Sequence, residues 1–225
     1  MDSTIHLAKI IIMTTFFNQR IIFISMILLA MGGCHSNRIN QKFIDEISAH
    51  RREVDSSFRY DPDSPFNRDP SAHFGGIKWF PPDEKYVFTS QLHRYAQPET
   101  VIILGTKGED RKEIQFGYFT LVFEGTGHPL NVYMSGPEEI EQRPQLRNYL
   151  SVWFTDATTG KETYGVGRYI DVGALDSDTN HIYTIDLNNS YNPYCAYSSL
   201  YSCAIPGKDD HLPFPVRAGE MKYHE

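Results

Sequence analysis

The sequence predicts a mainly β fold: an antiparallel sandwich or partly closed barrel, β-rich α+β in class, behind an N-terminal amphipathic helix. Three observations point there. Seven short segments of strand-forming residues follow one another with turn chemistry between them and no helical pattern intervening. Aromatic, proline and glycine residues are plentiful, with 14 Tyr, 14 Phe, 13 Pro and 16 Gly. Helical periodicity is confined to one stretch ahead of the strands.

The first segment reads as an export signal. An apolar core from Ile21 to Met31 follows Arg20 and leads into Gly32, Gly33 and Cys34. The core is too short for the roughly 18 residues of a membrane span and has the length of a signal-peptide core. Small residues before a cysteine suit a lipoprotein peptidase, and the new N-terminal thiol would take the lipid. Met31 stands where leucine is usual, and Met13 is an alternative start to Met1. The expectation is a signal peptide over residues 1–33, lipidation at Cys34, a polar tether over 34–39, and a single β-rich domain over 40–225. The chain would then sit in the cell envelope, anchored to a membrane on the periplasmic or outer-surface side. A plain signal peptide and an uncleaved anchor are the alternatives, and Ser36 does not settle the leaflet.

The helix is expected from about Asn40 to Phe58, where Phe43, Ile47, Val54 and Phe58 recur at helical spacing. Tyr60 to Asp83 is rich in proline and aromatics and reads as ordered loop. Strands are expected near Tyr86–Leu92, Thr100–Thr106, Ile114–Phe123, Leu130–Met134, Leu150–Phe154, Arg168–Val172 and Ile182–Leu187. Strict alternation would place Ile114, Phe116, Tyr118 and Thr120 on one face, and Gln115, Gly117, Phe119 and Leu121 on the other. Turns are expected at Gly108-Glu109-Asp110, Gly125-Thr126-Gly127 and Thr159-Gly160, while Pro137–Asn148 reads as a surface helix or a loop.

Composition narrows the function. The formal charge is −7, and losing Lys9, Arg20 and Asp2 with the leader takes it to about −8. No basic run is present, which argues against nucleic acid as a partner. His128, His181 and His211 are scattered without metal-ligand spacing, so neither a metal nor a cofactor is expected. Phosphate-loop and dinucleotide fingerprints are missing. Cys195 and Cys203 are a candidate disulfide, with free cysteines as the alternative.

Polar residues concentrate in three late segments: Asp156 to Tyr169, Asp186 to Tyr197, and Leu212 to Glu220. These segments, with Trp79-Phe80-Pro81-Pro82, resemble the domain of unknown function 1684 family. The resemblance runs from about Phe43 to Glu220. It rests on Asp156, Gly160-Lys161-Glu162-Thr163-Tyr164-Gly165 and Gly167-Arg168-Tyr169, then Tyr191-Asn192-Pro193 and Cys195-Ala196-Tyr197. It implies a shared fold and a shared polar site but no activity.

The candidate ligand-binding residues are Asp156, Lys161, Glu162, Tyr164, Arg168, Asp186, Asn192, Tyr197 and Arg217. Arg168 and Arg217 offer forked donors to a carboxylate or phosphate, and Lys161 adds a point charge. Asp156, Glu162 and Asp186 can pair with those cations or serve as acid and base. Tyr164, Tyr169, Tyr191 and Tyr197 can stack a ring or sugar. The competing reading is structural: Asp156 to Gly160 is a good turn, Arg168 is paired with Asp186 or Glu162, and Asn192-Pro193 is a turn with a cis bond available. The leading expectation is a tethered domain that binds a small polar or anionic ligand, or a cell-envelope component. The alternatives are a hydrolase using carboxylates in the same cleft, and a structural lipoprotein without a small-molecule site.

Overall fold

The structure is a computed structural model that describes residues 40–224; the leader, the tether and Cys34 lie outside the described residues. A helix, α1, covers residues 40–60. It crosses the boundary between two compact units, one ending at Ser48 and one running from Ala49 to Glu225. Within the second unit, Val54 and Phe58 of α1 join Phe66, Phe74, Tyr197 and Tyr223 in an aromatic cluster. The proline-rich stretch after the helix supplies those rings. A short helix, α2 (Pro65–Arg68), is started there by Ser64, whose hydroxyl accepts from the Phe66 amide at 3.2 Å.

The strands follow as β1 (Val87–Gln91), β2 (His93–Leu104), β3 (Asp110–Phe123), β4 (Thr126–Ser135), β5 (Tyr149–Asp156), β6 (Arg168–Ala174), β7 (Ile182–Asp186) and β8 (His211–Leu212). The main sheet runs β2-β3-β4-β5-β6, all antiparallel, and β8 adds a short parallel pairing to β5. A ribbon of β1 and β7 lies apart from it. The sheets are antiparallel and do not close into a barrel, so of the two expected forms the sandwich is the one present. All seven expected strands are there. Residues 93–99 extend β2 beyond its expected start, on an edge where most side chains are exposed and leave little apolar pattern to read. Pro137–Gln142 forms a helix, α3, and Pro144–Leu146 a 3-10 turn.

The core lies between the inner face of the main sheet and the β1–β7 ribbon. Phe119, Leu121, Leu130, Val132, Leu150, Phe154, Ile185 and Leu187 are fully buried there, with Leu212, Val216 and Ala218 from the C-terminal segment. Each large side chain contributes about 1.5–3 kcal/mol by leaving water.

Two local features differ from the sequence reading. The turn of the β3–β4 hairpin is Glu124-Gly125, with φ of 49° and 80°, and Thr126 already pairs with Phe123. Two left-handed residues make the tight turn whose twist suits adjoining strands. The second is a bulge in β3, where pairing steps from Gln115–Tyr133 to Gly117–Val132 and leaves Phe116 as the extra residue. Alternation therefore reverses there. Phe116 faces the core along with Phe119 and Leu121, and the single expected face for Ile114 through Thr120 is corrected.

Candidate functional site

The sequence-predicted polar residues divide into groups with different roles. Asp156 closes β5 and Arg168 opens β6, and their side chains meet at 2.9 Å with essentially no exposure. The guanidinium also donates to the carbonyls of Val216 at 2.8 Å, Glu220 at 3.2 Å and Ala218. Asp156 accepts from the Thr158 amide at 2.7 Å, the Thr158 hydroxyl at 2.6 Å and the Val216 amide at 3.2 Å. This pair ties the C-terminal segment to the sheet and presents nothing to solvent. The structural reading of Arg168 holds, with Asp156 as partner instead of Asp186 or Glu162.

Glu162 and Arg217 form a forked surface pair, with contacts of 2.9–3.2 Å. Arg217 holds the Glu162 carboxyl below its usual range. Lys161 is exposed beside them and makes no ion pair among the described residues. Asp186 is used by its own turn, accepting from the Asn188 amide at 2.9 Å and the Asn189 side chain at 3.1 Å. Asn192 and Tyr197 gather round Glu220, which is fully buried. The Asn192 amide donates to Glu220 at 2.9 Å, and so does the Tyr197 hydroxyl. Burial pushes the Glu220 carboxyl up to about 7. The Asn192–Pro193 bond is trans, since the described residues contain no cis peptide. Tyr164 donates to the Cys195 carbonyl at 3.3 Å. Cys195 and Cys203 are free and half-buried. The nine ligand candidates thus do not share one open cleft.

A different polar surface stands out on the outer face of the main sheet. Directly opposed residues share a face, so the register places Val101, Glu113 and Ser135 side by side. Gln115, Tyr133, Ser151 and Asp171 form the next row, and Trp153 and Tyr169 the one after. Trp153 and Tyr133 stack at 4.5 Å and anchor this face. Asp210 beneath them is fully engaged, accepting from Asn131, Tyr133 and Trp153 at 2.8–3.3 Å. The C-terminal loop covers part of the face, where Tyr191 bridges to Tyr169 and the Tyr169 hydroxyl donates to the Ala204 carbonyl at 2.6 Å.

Glu113 differs from Asp210. Its residue is 5% exposed, yet it makes no hydrogen bond or ion pair among the described residues. Burial, assisted by Glu139 and opposed by Arg111, pushes its carboxyl up to about 7. On the same face the hydroxyls of Tyr149 and Tyr191 both donate to Asp171, the latter at 3.1 Å. Glu113 and Asp171 thus lie on one face but three strands apart, with tyrosine rings on the strands between and beside them. Sequence reasoning named the rings of Tyr169 and Tyr191 but missed Glu113 and Asp171. Glu113 lies in the charged run Asp110-Arg111-Lys112-Glu113, which reads as a solvated strand end. Among the described residues, no three His, Cys, Asp or Glu side chains gather closely enough to hold a metal ion.

The family model described as "Protein of unknown function (DUF1684)" matches residues 72–221. The chain belongs to this family. The matched span includes the Asp156–Arg168 pair, Glu220, Cys195 and Cys203, and the outer sheet face. Among solved structures, the DUF1684 chain is similar to the solution NMR structure of an uncharacterized protein of Haloarcula marismortui. The two are 27% identical, over 82% of this chain and 96% of that one, with a TM-score of 0.58. No curated protein matches the chain.

Proposed function

We propose that this DUF1684 protein is an exported lipoprotein, tethered through Cys34, that binds a small polar ring compound or cell-envelope fragment on the outer face of the main sheet. The observation that carries the binding reading is Glu113. Its carboxyl is largely withdrawn from water and engages no other group among the described residues, so a ligand donor placed there would give it a hydrogen bond. Three strands further across the face, Asp171 supplies a second acceptor for a longer ligand, and Tyr149, Tyr169 and Tyr191 supply ring faces beside it. This composition favours a ligand rich in hydroxyl or amine donors over an anion. Two of the three cations offered to an anion are engaged, Arg168 with Asp156 and Arg217 with Glu162, which leaves only the exposed Lys161. The leader chemistry of Arg20, the apolar core and Gly32-Gly33-Cys34 supports the tether.

The test is a thermal-shift screen of the purified protein against amino sugars, polyols and envelope fragments. A ligand at a hundredfold its Kd stabilises by about 2.7 kcal/mol. The shift is expected to disappear in Glu113→Gln and Asp171→Asn. Shifts that survive both changes would overturn the site, and silence across the screen would favour a structural lipoprotein. For the tether, Cys34→Ser is expected to move the protein from the detergent phase to the aqueous phase.

A hydrolase is the second reading: burial raises the Glu113 carboxyl to about 7, where it can serve as both acid and base. Turnover that follows the Glu113 titration and is lost in Glu113→Gln would support it.

A further inference from the structure

The loop after β7 folds back on itself and brings two thiols together. Cys195 sits on a 3-10 turn, Tyr194–Ala196, closed by an Ala196 amide bond to the Pro193 carbonyl at 2.8 Å. The chain reverses through Ser198 to Tyr201 and returns to Cys203. Cys203 is fixed against Thr106, whose amide donates to the Cys203 carbonyl at 3.0 Å and whose hydroxyl accepts from the Cys203 amide at 3.1 Å. The Cys195 amide donates to the Cys203 sulphur at 3.3 Å, which sets that sulphur directly against Cys195. Both residues are half-buried, so solvent reaches the pair. Cysteines serving only as small apolar filler would have no reason to face each other or polar neighbours. Here the Tyr164 hydroxyl lies 3.8 Å from the Cys195 sulphur.

We infer that Cys195 and Cys203 are an exchange-competent dithiol that closes to a disulfide. The oxidant is a small-molecule or protein disulfide, which an oxidising compartment supplies. One of the two thiols releases its proton and its thiolate attacks one sulphur of that disulfide. The oxidant's S–S bond breaks, a mixed disulfide forms on that cysteine, and one thiolate leaves. The other cysteine then loses its proton and attacks the first cysteine's sulphur, expelling the second thiolate. The two cysteines give up two electrons, and their two protons end on the two departing thiols.

The experiment uses the full chain carrying Cys34→Ser, so that only this pair is counted. The reduced protein is exposed to oxidised glutathione, quenched with an alkylating agent and weighed by mass spectrometry. The expected product lacks both alkyl groups, yields one cross-linked peptide joining Cys195 and Cys203, and melts about 5 °C or more above the reduced form. In each of the Cys203→Ser and Cys195→Ser variants a glutathione adduct is expected on the remaining cysteine. Full alkylation of both thiols after oxidation of the folded protein would overturn the inference.

Discussion

Arg168 shows how one residue can hold a segment that has no regular structure of its own. It donates to three carbonyls of the 216–220 stretch and to Asp156, all without water. Arg168→Met would strand Asp156 as a buried, uncompensated charge, so a loss of about 3–5 kcal/mol is expected in urea unfolding. Glu162→Gln breaks only an exposed pair and should cost under about 1 kcal/mol. Both residues belong to the same polar run of the sequence, and the run itself does not tell them apart. Arg168 was legible as important but not as buried. Its position at the first residue of β6, opposite Phe154, is what turns it inward, and that depends on register.

The informative events among the elements are the hairpin and the bulge. Glu124 holds a left-handed backbone at φ 49°, a conformation costly for a side chain other than Gly, Asn or Asp. Glu124→Asn should therefore raise stability by about 0.5–1 kcal/mol, measurable as a shift in the urea midpoint. Strand existence was readable because runs such as Leu150 to Phe154 carry dense apolar and aromatic character. Facing was not, because Phe116 inserts one residue into β3 and inverts the pattern on either side. That inversion puts Glu113 on the outer face while Phe119 stays in the core. The candidate surface is therefore a product of the bulge, and residue types alone do not announce it.

For the whole molecule, the distribution of shifted carboxyls sets the pH at which the fold is most stable. Glu113 and Glu220 bind their protons more tightly folded than unfolded, with carboxyls raised from 4.5 to about 7. Their contribution is complete below about pH 4.5 and is lost as the pH rises through 7, by up to about 3 kcal/mol each. Glu109, lowered to about 2 by its hydrogen bonds, and Glu162, lowered by Arg217, act in the opposite sense and weaken the fold only below about pH 4.5. Urea midpoints should therefore peak near pH 5 and fall by pH 8. Glu113→Gln should flatten part of that decline, and a decline unchanged in the variant would show that Glu113 is ionised in the fold near neutrality.

The path of the C-terminal segment bears on the order in which the molecule is built. Leu212, Val216 and Ala218 complete a core whose other walls come from strands β1 to β7, and Arg168 waits in β6 for carbonyls some fifty positions later in the chain. During synthesis, every strand of the main sheet except the short β8 emerges before the residues that seal it. A nascent chain halted after β7 would lack only β8 among its sheet partners, and would carry an unsatisfied guanidinium and an open apolar wall. Closure then comes as a late step that depends on contacts between distant parts of the chain, which makes for slow folding and a long interval in which the polypeptide is still open to handling.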